Sequence, residues 1–140
     1  MKQCISLIVF NTGLSLFGQG TTPKPKASDY PVHARIGGAD LGVEYMVRSF
    51  GEDQMLLAND YLIVEVAVYP DQLTVFETDA RRFTLRINGK KVHKVALPEG
   101  PARNPVSGFL FFPYRGKLSK LKSVELLVDY GSGPVLLRLK

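Results

Sequence analysis

Residues 61 to 69, Tyr61-Leu62-Ile63-Val64-Glu65-Val66-Ala67-Val68-Tyr69, put Leu62, Val64, Val66 and Val68 on one face at a two-residue period. That spacing predicts a strand buried on one side. A second alternating run, Phe83-Thr84-Leu85-Arg86-Ile87, ends in Asn88-Gly89, the pair that tolerates the positive φ angles of a type I′ hairpin turn. Strands joined by tight turns predict an antiparallel all-β domain. At 140 residues and 45% hydrophobic content the chain has material for one ordinary core.

The remaining strands follow from the same alternation. Val32, Ala34 and Ile36 form one, ended by Gly37-Gly38; Val43, Tyr45 and Val47 form another. Gly51-Glu52-Asp53 reads as a turn into Met55-Leu56-Leu57, and Asn59-Asp60 as a turn into the strand at 61 to 69, which Pro70 ends. Leu73 and Val75 suggest a short strand, followed by a helical turn at Thr78-Asp79-Ala80-Arg81 with Thr78 or Asp79 as its cap. After the hairpin, 91 to 96 reads as an edge strand guarded by Lys90, Lys91 and Lys94.

Pro98 to Pro105 reads as the least structured loop. Phe109 to Phe112 resumes as strand, 115 to 123 as a basic connection, Val124 to Val128 as strand, and Val135 to Leu139 as the last strand after a Gly131-to-Pro134 turn. About nine short strands with no long helix predict an immunoglobulin-like antiparallel β-sandwich, with a closed barrel as the alternative.

Ahead of the domain, Met1-Lys2-Gln3, the mostly apolar Cys4 to Phe17 and the small residues to Gly20 have the order of a signal peptide. Cleavage is expected after Gly20, giving export to a periplasm or the outside. The alternative is a first strand at Ile5 to Phe10. The apolar run is too short and too polar for a membrane span, and Cys4 precedes it, the wrong order for lipid attachment. Residues 21 to 29, with Pro23, Lys24, Pro25 and Lys26, read as an extended solvated linker, and the domain proper as 30 to 140.

The strand Tyr61 to Val68, Phe83 to Lys90, Gly108-Phe109-Leu110-Phe111-Phe112-Pro113 and Val124-Glu125-Leu126-Leu127 together resemble the bacterial telokin-like, immunoglobulin-like extracellular domains of unknown function. The resemblance covers roughly residues 30 to 140. It implies a secreted or envelope-attached module, not an enzyme, and brings no active-site residues with it.

The residues themselves point the same way. Nucleophilic hydrolysis needs a base beside its nucleophile, and the only histidines are His33, on an outward strand face, and His93, among lysines. After cleavage no cysteine remains, which leaves too few ligands for structural zinc, and Glu52-Asp53 with Asn59-Asp60 match no calcium loop. No cofactor is expected.

Charge is distributed unevenly. Residues 29 to 80 carry ten acidic and two basic side chains, residues 81 to 140 thirteen basic and three acidic. In a sandwich the two halves can interleave on the surface, or segregate and attract polyanions or a second molecule head to tail. The candidate partner-binding residues are Arg81, Arg82 and Arg86, then Lys90, Lys91 and Lys94, then Arg115, Lys117, Lys120 and Lys122. Read plainly, they are solvated faces and edge protection. Read functionally, they bind a protein or an anionic envelope polymer, without specific nucleic-acid recognition. The alternative function is a small hydrolase or ligand carrier with a pocket between the sheets, involving Glu44, Glu65, His33 and His93.

Overall fold

Two antiparallel sheets face each other across one apolar layer. The computed structural model describes residues 20–50, 56–92, 100–130 and 133–140. The segment before residue 20 that is expected to be a signal peptide, the turn expected at 51 to 53, His93, Lys94 and part of the expected Pro98 loop lie outside them. Among the described residues no helix is long and apolar enough to cross a membrane.

The first sheet runs in the order β1 (Gly20–Thr21), β11 (Val106–Pro113), β6 (Tyr61–Pro70), β3 (Ala39–Val47) and β2 (Val32–Ile36). The second runs β13 (Val135–Arg138), β12 (Val124–Val128), β8 (Phe83–Ile87) and β9 (Lys90–Val92). Two short pairs complete the fold: β4 (Ser49–Phe50) with β5 (Leu56–Leu57), and β7 (Phe76–Thr78) with β10 (Gly100–Ala102). All the pairings are antiparallel.

The core is built as the alternation predicts. Leu62, Val64, Val66 and Val68 of β6 meet Leu85 and Ile87 of β8 and Leu126 of β12, with Leu41, Val43, Leu110, Phe112 and Phe83 filling the same layer. Each such side chain contributes about 1.5–3 kcal/mol on leaving water. Phe83 and Phe76 close one end of the layer against Tyr130, with ring centroids 6.1 and 4.7 Å away.

Three expectations are corrected. The central strand β6 is buried on both faces, since Ile63 and Ala67 on its supposedly wet side are fully covered. Ile63 packs there with Met46 and Phe109. The segment 21 to 29 is no free linker: Thr21 pairs with Ser107, Ala27 is buried, and a three-residue 3₁₀ turn at Ala27–Asp29 leads Tyr30 onto the sheet. Tyr69 donates its hydroxyl to the Lys24 carbonyl at 2.6 Å, and the Lys24 N–H donates to Tyr30 at 3.1 Å. Tyr30 lies flat on Gly42, where a Cβ would come within 2.3 Å of the ring. Glycine at that position is what lets this N-terminal strap sit down.

The third correction concerns Leu73 and Val75, which form no strand. Leu73 is 99% exposed at φ 64, in a turn closed by the Thr74 N–H on the Asp71 carbonyl, and pairing begins only at Phe76. Its partner β10 falls inside the stretch expected to be the loosest loop.

Candidate functional site: the lysine-bearing end

β8 leaves the second sheet through Asn88 (φ 52) and Gly89 (φ 86), the left-handed pair that a tight hairpin needs. The Asn88 side chain then reaches out of the hairpin. Its amide donates to the Lys120 carbonyl at 2.9 Å, while its oxygen accepts the N–H groups of Lys122 (2.6 Å) and Ser123 (3.0 Å). The Asn88 N–H also bonds the Ser123 carbonyl at 2.9 Å. One residue thereby staples the Lys90-Lys91 hairpin to the Lys117–Lys122 connection, although some thirty residues separate them in sequence.

That connection is itself braced. A 3₁₀ turn at Leu118–Lys120 shortens it, Tyr114 donates its hydroxyl to the Lys117 carbonyl at 2.8 Å, and Arg48 donates to the Gly116 carbonyl at 2.8 Å with its guanidinium 5.6 Å from the Tyr114 ring centre. Arg48 follows a bulge at which Val47 adopts φ 60, a conformation rare for a β-branched residue. Just inside, the Tyr45 hydroxyl is buried with no hydrogen-bond partner among the described residues. Burial pushes its phenol up, with Arg48 opposing.

The structure therefore sorts the ten predicted cations. Lys90, Lys91, Lys117, Lys120 and Lys122 gather at one end of the sandwich; they are exposed, and among the described residues none has a carboxylate within 4.0 Å. Arg115 is exposed in the same connection. Lys94 lies outside the described residues. Arg81, Arg82 and Arg86 do not join them. Arg81 bonds Asp79 at 3.0 Å, Arg82 sits 5.4 Å from the Tyr130 ring centre, and Arg86 pairs with Glu125 at 3.8 Å on the sheet surface. Arg81 and Arg82 flank the opposite end of β8. Asn88, Arg48 and Tyr114 were not among the partner-binding candidates read from the sequence; the Asn88-Gly89 turn pointed to a hairpin rather than a staple, and Tyr114 stood out only as an aromatic between two basic segments.

A second constellation lies on the outer face of the first sheet. Glu44 and Glu65 are direct cross-strand neighbours. Burial pushes the Glu65 carboxyl up, and Glu44 adds to this, while the Thr21 hydroxyl and Lys24 counter it. Lys24 approaches Glu44 at 3.4 Å. His33 is exposed and lines a separate cleft of about 300 Å³ with Lys26, Ser28, Arg35 and Asp40. Arg35 is committed there, forked onto Asp71 at 2.7 and 2.8 Å and bonded to Asp40 at 3.0 Å. The two glutamates thus lie side by side beneath the strap, while His33, paired in register with Gly42, lines the neighbouring cleft.

No family model matches the chain, and no curated protein matches it. A solved structure from Bacillus subtilis subsp. subtilis str. 168, described as a "putative lipoprotein" (YcdA), aligns at a TM-score of 0.49 with 21% identity, over 76% of this chain and 37% of that one. The chain therefore spans little more than a third of that protein's length.

Proposed function

We propose that the chain is an exported, non-catalytic β-sandwich module that docks a protein or an envelope polymer through its lysine-bearing end. Export rests on the order of residues 1 to 20, and assignment to the telokin-like immunoglobulin-like domains on the strand motifs quoted above. The observation that carries the docking role is the convergence of Lys90, Lys91, Lys120 and Lys122 around the Asn88 staple, with no carboxylate near enough to neutralise them among the described residues. Unpaired like charges held together by fixed backbone repel one another, and an anionic partner relieves that repulsion.

The test is retention of the purified protein by isolated envelope material, compared with a Lys90→Glu/Lys120→Glu/Lys122→Glu variant of unchanged melting temperature. Loss of retention in the variant is expected; equal retention would remove the reading.

A second reading, a small hydrolase or ligand carrier, draws on the raised Glu65 carboxyl beside Glu44, since perturbed carboxylates gather at catalytic sites. It requires turnover or ligand uptake that Glu65→Gln abolishes.

A further inference from the structure

We infer that the partner of the lysine-bearing end is a flexible linear polymer carrying an anionic group on each repeat, rather than a discrete phosphate. The inference rests on the docking role proposed above and names the ligand class.

A single bound phosphate wants converging backbone N–H groups or a forked guanidinium. Here four backbone donors of the connection are already used: Lys122 and Ser123 on the Asn88 oxygen, Lys120 on the Lys117 carbonyl, Leu121 on the Leu118 carbonyl. Arg48 is committed to the Gly116 carbonyl and to the Tyr114 ring. Beside the single exposed guanidinium of Arg115, this end offers five lysine ammonium groups, which act as mobile point charges without directional demand. Such groups suit a ligand that brings many charges and little shape.

The aromatic side chain at this end also argues against base recognition. The Tyr114 ring lies against Arg48, and its hydroxyl is bonded to the Lys117 carbonyl, so it offers no ready platform for stacking a nucleobase. The Asn88 staple fixes both lysine-bearing segments in advance, which lowers the ordering cost of binding.

Salt dependence makes the inference quantitative. Five lysines neutralising a flexible polyanion give a slope of log affinity against log salt near −3.5, a loss of roughly 100-fold between 50 and 200 mM salt, whereas one ion pair loses only about threefold.

The experiment titrates the full chain with linear polyphosphate of increasing length, poly-glutamate of matched charge, pyrophosphate, and phosphatidylglycerol vesicles, across that salt range. The expected result is affinity that grows with polymer length and weakens roughly 100-fold over the range, a salt loss that shrinks to under about tenfold in a Lys90→Gln/Lys120→Gln/Lys122→Gln variant. Lys26→Gln, which removes a charge near the His33 cleft, should leave binding unchanged. Whichever polymer binds more tightly identifies the anionic group. Pyrophosphate binding as tightly as the long chain, an unchanged salt slope in the triple variant, or binding to vesicles alone would each overturn the inference. Absence of polymer binding with envelope retention intact would overturn this inference while sparing the docking role; loss of both would remove the two together.

Discussion

The Asn88 carboxamide shows how one side chain converts local turn chemistry into long-range order, because its own left-handed backbone turns the hairpin while its side chain fixes a distant loop. Leu73 is the opposite case. It adopts φ 64 with its side chain 99% exposed, so it bears the steric penalty of the left-handed region with no packing in return. Leu73→Gly should therefore stabilise the fold by about 1 kcal/mol, read as a higher urea midpoint with an unchanged m-value. Glu65 gives a pH dependence of known sign. Its carboxyl titrates above the ordinary value of 4.5 in the fold, so the protonated form is the one the fold favours. That contribution is fully present below the unfolded pKa and is lost as pH rises through the raised one. Glu65→Gln should melt above the wild type at about pH 8 and converge with it near about pH 4.

Among the elements, those that were legible in sequence have a clean period. β6, β8, β12 and β13 lie close to where alternation puts them, and Asn88-Gly89 makes the turn expected of it. The strap and the second covered face were harder to read, because two prolines and two lysines look like a linker unless the surface beneath them is known. A signal was nevertheless there: Ile63 and Ala67 occupy positions on β6 that a solvated face would fill with polar residues, and Gly42 lies directly across from Ala67. The lysine end was half legible. Its residues were named from composition, but grouping five and excluding Arg81, Arg82 and Arg86 needed strand register and carboxylate positions, which a one-dimensional charge count does not contain. The strap's dependence on glycine is testable through Gly42→Ala. The added methyl would meet the Tyr30 ring, so limited trypsin digestion should cut after Lys26 faster than in the wild type while the sandwich survives.

For the molecule as a whole, the uneven charge of the two sequence halves becomes a difference between the two ends of the sandwich. One end gathers lysines, while at the other Arg81 pairs with Asp79, and Arg35 with Asp40 and Asp71. Exposed pairs of this kind add little stability, yet two guanidiniums partly offset the three carboxylates there. That offset weakens the attraction of this end for the lysine end of a second copy. Sedimentation velocity at low and at high ionic strength should return the same monomer mass; a polymer ladder appearing only at low salt would show head-to-tail association instead.

The stapled turn also bears on chemical ageing. In an Asn-Gly pair the following backbone nitrogen attacks the side-chain carbonyl readily, since glycine leaves the approach unobstructed; ammonia departs, and water opens the resulting ring to aspartate or its backbone isomer. Here the carboxamide is held against the neighbouring loop by three hydrogen bonds. Peptide mapping after mildly alkaline storage should find Asn88 intact in the native protein and deamidated in the urea-unfolded chain. The same contacts that gather the lysines would in this way keep a permanent negative charge from arising among them.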